Sequence, residues 1–208
     1  MSRFQTLTRL TNETVNMIAI IKYNAGNVRS VYNAVTRLGY EAIITDDPEI
    51  LRNAEKVIFP GVGEASSAMK YLQDKGIDQV IKNLKQPVLG ICLGQQLLCE
   101  SSEEGNVTCL GIFDAKVRKF PAEDIVPHMG WNTLTQLKGD IFKDITEGED
   151  VYYVHGFYCE LSEDTVATTD YILPFSAAFQ RENFYATQFH PEKSALTGEK
   201  ILRNFLSL

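Results

Sequence analysis

The chain of 208 residues predicts an α/β fold: a doubly wound, mostly parallel central sheet flanked by helices, with a smaller antiparallel portion. Three observations carry this reading. Short continuous apolar runs alternate with helical patterns through the first half. Such runs suit parallel strands that are covered on both faces. Turn-forming residues follow each run. From about residue 107 the pattern changes to shorter strands without helices between them.

The elements follow in order. Asn16-Met17-Ile18-Ala19-Ile20-Ile21 reads as the first strand. Tyr23 to Asn27 is loop chemistry, with Asn27 as a helix N-cap. Val28, Val31, Val35 and Leu38 then share one helical face, and Gly39 ends it. Residues 41–45 form a second strand, followed by Asp46-Asp47-Pro48. Residues 56–59 form a third, which runs into Pro60-Gly61-Val62-Gly63-Glu64. Two helical stretches follow, one carrying Ala65, Ala68, Met69 and Leu72, the other Ile77, Val80, Ile81 and Leu84. A strand at 87–91 leads to Cys92. Shorter strands are expected at 115–120, 133–137, 151–155 and 165–170. A strand at 183–189 ends at His190-Pro191-Glu192, and 194–208 reads as a closing helix. With no internal repeat or linker, residues 15–208 are read as one domain, after a flexible N-terminal extension at 1–14. Met17 is a second candidate start.

Composition narrows the function. Apolar content of 44% and charged content of 23% are ordinary for a globular protein. A net charge of −7 without a basic run argues against general nucleic-acid binding. No apolar run approaches the length that spans a membrane. Residues 1–14 hold two Arg and scattered hydroxyls but no apolar core of a secretory signal. Cys92, Cys99, Cys109 and Cys159 have no CxxC spacing, so no zinc or other metal site is expected. Cys92 and Cys99 lie seven apart on one expected helix, about 10 Å along its axis and too far to bridge. Reduced thiols place the expected protein in the cytoplasm.

Gly90-Ile91-Cys92-Leu93-Gly94 sits where a buried strand meets a helix. It is the cysteine version of the Gly-x-Ser-x-Gly turn, which presents a nucleophile at its apex. Amides at a helix start favour a thiolate. A thiol nucleophile needs a base, and the base needs an orienting group. Of the three histidines, His190 lies just past a strand and Glu192 follows two residues on, so Cys92, His190 and Glu192 form a candidate triad. Acyl transfer also needs donors for an oxyanion. The amide of Leu93 is one candidate, and the Gly61-Val62-Gly63 turn supplies the other. A phosphate cradle is disfavoured, because Gly-x-x-x-x-Gly-Lys-Ser/Thr is absent. Each feature alone also fits a blander role: a buried cysteine, a satisfied histidine, an ordinary βα turn.

Pro-Gly-Val-Gly, Gly-Ile-Cys-Leu-Gly-x-Gln and His-Pro-Glu, in that order, resemble the triad-type (class I) glutamine amidotransferases. Residues 127–132 (Pro-His-Met-Gly-Trp-Asn), 153–158 (Tyr-Val-His-Gly-Phe-Tyr) and 190–194 (His-Pro-Glu-Lys-Ser) resemble, more narrowly, the glutaminase subunits of imidazole glycerol phosphate synthase. So does Gly26-Asn27-Val28-Arg29-Ser30-Val31. The resemblance covers roughly residues 16–208. It implies that Cys92 attacks glutamine, that His190 moves the protons and that Glu192 orients it. It further implies that Gln96 and Glu104 bind glutamine, and that Trp131 and Lys193 face a cyclase partner. That partner would be a (β/α)₈ barrel receiving ammonia to make imidazole glycerol phosphate and an aminoimidazole carboxamide ribotide. No cofactor is implied. Read from pattern alone, 127–132 is a polar turn around an exposed Trp, and Gln96 and Glu104 lie on a solvated helix face.

Two departures from the family pattern bear on substrate binding. Lys22 and Asn24 stand where an acidic residue and Gly are common, and Gly156 stands where Ser often follows His. Two other functions remain open at this level. One is an amidotransferase subunit serving a synthase for anthranilate or pyridoxal phosphate. The other is a non-catalytic binding module that keeps the sheet.

Overall fold

In the computed structural model, residues 17–24 and 26–208 are described. The expected extension at 1–14 lies outside them. The first half runs β1 (Ile18–Ile21), α1 (Val28–Arg37), β2 (Ala42–Thr45), α2 (Pro48–Asn53), β3 (Lys56–Gly61), α3 (Ala65–Asp74), α4 (Ile77–Asn83), β4 (Val88–Cys92) and α5 (Leu93–Leu98). The second half runs β5 (Ser101–Ser102), β6 (Val107–Thr108), β7 (Lys116–Lys119), β8 (His128–Thr133), β9 (Asp150–His155), β10 (Phe157–Cys159), β11 (Thr165–Tyr171), β12 (Leu173–Arg181), β13 (Phe184–Thr187) and α6 (Ala195–Leu206).

A sheet of seven strands, ordered β11-β12-β13-β4-β3-β1-β2, forms the centre. The pairs from β13 to β2 are parallel, and β11 and β12 add an antiparallel edge. Both sheet faces are covered, which explains the continuous apolar runs. Ile18 and Ile20 pack in one core and Ala19 and Ile21 in the other. Burying alternate residues on opposite faces leaves no position for a polar residue. A four-stranded sheet (β10-β7-β5-β6) and the β8-β9 hairpin complete the antiparallel portion.

The central strands position the site. β3, β4 and β13 are parallel neighbours, with Gly61 opposite Cys92 and Ile91 opposite Thr187. Their carboxyl ends therefore share one edge of the sheet, where open α/β sheets build ligand crevices. Segments almost a hundred positions apart meet there because β13 returns to pair with β4.

Several elements differ from expectation, among them the short strands β5, β6 and β10, which the sequence reading did not place. Residues 48–53 form a helix, α2, whose first turn is capped by Asp47 accepting the Glu49 amide at 2.8 Å. The segment at 127–132 is not a polar turn. Its residues from His128 on form β8, and the strand expected at 133–137 starts and ends earlier, leaving only an isolated bridge at Thr135. β12, the longest strand, had no counterpart in the sequence reading.

Candidate active site

Cys92 closes β4 and precedes α5 with φ 54° and ψ −108°. A non-glycine residue rarely holds this backbone, and strain of this kind clusters at active sites. The neighbouring glycine makes the turn possible. A Cβ at Gly94 would lie 1.8 Å from the Phe59 carbonyl oxygen, so any other residue would push α5 off β3.

A cavity of about 170 Å³ opens beside the sulfur. Val62, Gly63, Cys92, Leu93, Gln96, Glu104 and the Val154–Phe157 segment line it. Both residues expected to bind substrate are there, not on a solvated face. Gln96 is buried, and its amide protons go to the Phe157 carbonyl at 3.1 Å and the Gln188 side chain at 3.0 Å. Its carbonyl oxygen is left for the cavity. Glu104 is half-buried and accepts the Ala65 amide at 2.9 Å. Burial and, less strongly, the charge of Glu64 push its carboxyl pKa up, against the Ala65 hydrogen bond.

His190 and Glu192 lie behind Cys92, their side chains fully buried. Glu192 Oε1 is 2.8 Å from His190 Nδ1. Burial by itself would lower the imidazole pKa. The Cys92 sulfur and the Glu192 carboxylate outweigh burial and push it up to about 10. The two neighbours thus favour the protonated form of the ring. His190 Nε2 meets no hydrogen-bond partner of standard geometry, although the Cys92 sulfur is close enough to act on the ring.

The Gly61–Gly63 turn extends β3. Gly61 is buried, and a Cβ there would meet the Tyr23 hydroxyl at 1.8 Å. That hydroxyl donates to the Pro60 carbonyl at 2.7 Å. The Val62 carbonyl accepts the Gly26 amide at 3.1 Å. A trans peptide points its N–H opposite to its C=O, so the Gly63 amide points away from Gly26. Leu93 is the first residue of α5, where amides have no intrahelical partner. Trp131 and Lys193 lie outside the cavity, and Trp131 is 54% exposed.

Gly156 needs no special backbone. A Cβ there would find only ordinary contact with Val126 at 3.8 Å, so the serine common at this position would fit. Lys22 and Asn24 are exposed, and Asn24 reaches the Ser67 carbonyl at 3.4 Å.

Three site residues were missed from sequence. Asn27 occupies the N-cap of α1 in a left-handed conformation (φ 68°), but its side chain does not cap. It donates to Glu192 Oε1 at 2.5 Å instead. Gln188 places Nε2 3.8 Å from the Cys92 sulfur. Tyr23 packs under the Gly61 turn. An asparagine after a glycine, directly before a helix, was the one available signal, and it suggested a cap.

The chain matches the family described as Glutamine amidotransferase class-I over residues 19–208. It is 61% identical over 194 residues to the imidazole glycerol phosphate synthase subunit HisH of Bacteroides fragilis (strain YCH46), covering 92% of this chain and 99% of that protein. It is 44% identical over 203 residues to the protein of the same name in Vibrio parahaemolyticus, covering 94% and 100%. Among solved structures it resembles a glutamine amidotransferase (TM-score 0.71, 21% identity, 91% of this chain and 97% of that one). It also resembles PurLQS from Thermotoga maritima (TM-score 0.69, 20% identity, 92% and 97%). The motifs on this sheet edge and the extent of these matches lead to one statement: the chain belongs to the class I glutamine amidotransferases and, within them, to the HisH group.

Proposed function

We propose that the chain hydrolyses glutamine to glutamate and ammonia through Cys92, His190 and Glu192, and delivers the ammonia to a cyclase partner. The HisH relatives are named as subunits of imidazole glycerol phosphate synthase, which supports that partner and the histidine pathway. The observation that carries the chemistry is the buried His190–Glu192 pair beside the strained Cys92 on a cavity wall.

In this reading the Cys92 thiolate attacks the side-chain amide carbon of glutamine. The amides of Leu93 and of Val62 or Gly63 receive the oxyanion. His190 gives its Nε2 proton to the departing ammonia, leaving a γ-glutamyl thioester. Neutral His190 then takes a proton from water, and the hydroxide releases glutamate and restores the thiolate. Glu192, held by Asn27, keeps the imidazole in the orientation that both steps use. Gln96 and Glu104 grip the substrate. Partner binding turns the Pro60–Gly63 segment so that its amide meets the oxyanion, which makes the free chain slow. Trp131 and Met129, both exposed and two apart on β8, form the docking face with Lys193.

The test is synthesis by the complex reconstituted with its cyclase. Cys92→Ala should abolish glutamine-dependent turnover, while added ammonium still supports synthesis. Full glutamine-dependent turnover in this variant would overturn the mechanism. Glutaminase activity of the wild-type chain should rise on adding the cyclase and its nucleotide ligand.

A further inference from the structure

His128 and His155 are buried, carry no role in the reaction above, and touch one another. His128 Nδ1 lies 3.0 Å from His155 Nε2. His155 Nδ1 lies 2.7 Å from the Phe157 carbonyl oxygen. His128 Nε2 lies 3.3 Å from Asn132 Nδ2. His128 is stacked between Tyr153 and Tyr171, with ring centroids 4.8 and 4.0 Å away, so its plane cannot turn freely.

The partners at the two ends fix the direction of each of these hydrogen bonds. A carbonyl only accepts, so His155 Nδ1 carries the hydrogen to Phe157. Burial lowers the pKa of His155 to about 3 and that of His128 to about 4, so both rings are neutral. His155 Nε2 is then an acceptor, and His128 Nδ1 must donate to it. His128 Nε2 is left as an acceptor for Asn132. The Asn132 amide is itself oriented, since Nδ2 also donates to the Asp170 carbonyl at 3.0 Å and Oδ1 accepts the Thr133 amide at 2.7 Å. At the far end the Phe157 carbonyl also receives Gln96 Nε2, so both its lone pairs are used.

We propose that His128 and His155 are positioning residues, a one-way hydrogen-bond relay from Asn132 to the Phe157 carbonyl that sets the Gly156–Phe157 wall of the cavity and the orientation of Gln96. The proposal rests on the glutaminase reading, which makes glutamine the occupant of the cavity that this wall lines. Neither histidine is among Cys92, His190 and Glu192, so the relay acts on substrate affinity more than on the chemical step. It also ties the wall to β8, the strand that carries Trp131, through the adjacent Asn132.

Two measurements test it. Long-range ¹H–¹⁵N NMR of the ¹⁵N-labelled wild-type chain at pH 7 reads the tautomers directly. His128 and His155 should both be neutral with hydrogen on Nδ1. Hydrogen on Nε2 of either ring, or a charged ring, overturns the relay whatever the protein catalyses. The second measurement is steady-state kinetics of the complex with its cyclase. His128→Phe keeps the stack but removes both bonds, and should raise KM for glutamine about tenfold with kcat changed less than about twofold. His128→Asn restores a donor near the Nδ1 position and should bring KM back to within about threefold of wild type. Ammonium-dependent synthesis should be unaffected in both. An unchanged KM in a folded His128→Phe chain overturns the proposal. If the wild-type complex shows no glutamine turnover at all, the glutaminase reading fails, while the NMR result still decides the relay.

Discussion

At the scale of single residues, two kinds of buried histidine coexist, with pKa values displaced in opposite directions. His190 is surrounded by the Cys92 sulfur and the Glu192 carboxylate, which override the burial that opposes charge. His155 and His128 have no anionic partner, so burial dominates and keeps them neutral. The signs follow from linkage. The folded-state pKa of His190, about 10, is above its unfolded value near 6.5. Its contribution to stability is therefore complete below pH 6.5 and is lost as the pH rises towards 10. For His128 and His155 the folded values of about 4 and 3 lie below the unfolded one. Between pH 6.5 and these values the unfolded chain binds more protons, so stability is complete above pH 6.5 and falls on acidification. Thermal melts of wild type and His128→Phe from pH 7.5 to 4.5 check this. The variant should lose less Tm over that interval, because one of the two neutral histidines is gone.

At the scale of elements, the site depends on how closely backbone segments approach. Gly61→Ala would set a methyl group against the Tyr23 hydroxyl. It should cost about 1–3 kcal/mol in urea unfolding, the range for overpacking a tight core. Tyr23→Phe removes the clashing oxygen, so the double variant should recover part of the loss, and the two changes should not be additive. Strictly additive losses would mean that the two residues do not meet.

Much of this level was legible in the sequence. β1, β3 and β4 appear as uninterrupted apolar runs because both faces of the central sheet are covered. The helix starting at Ala65 and the closing helix show a single apolar stripe. β12 was hidden because Pro174 and two adjacent alanines weaken strand propensity. β8 was hidden for a different reason. Its alternation is inverted, with Met129 and Trp131 facing out and His128 facing in, so a search for buried apolar positions misses it. The short α2 has only Leu51 fully buried and is marked mainly by its Asp47-Pro48 start.

At the scale of the whole molecule, the exposed apolar residues of β8 set the expectation for assembly. Large side chains left in water at one face mark a contact surface. In the proposed complex, Trp131→Ala should weaken cyclase binding by about 2 kcal/mol or more, roughly thirtyfold in Kd. Calorimetric titration measures this directly, and the isolated variant should melt at the wild-type temperature because Trp131 is not part of either core. A wild-type Kd would remove Trp131 from the interface.

The amino-acid sequence by itself determined the class of fold and the identities of Cys92, His190 and Glu192 as candidates. Apolar periodicity and turn chemistry are local properties, and each motif is complete within a few residues. Only the tertiary structure decided that Asn27 serves Glu192 and not a helix, that Gln188 lies beside the sulfur, and that two neutral histidines join β8 to the cavity wall. These depend on which strands pair, and a polar side chain shows no partner until burial forces it to find one.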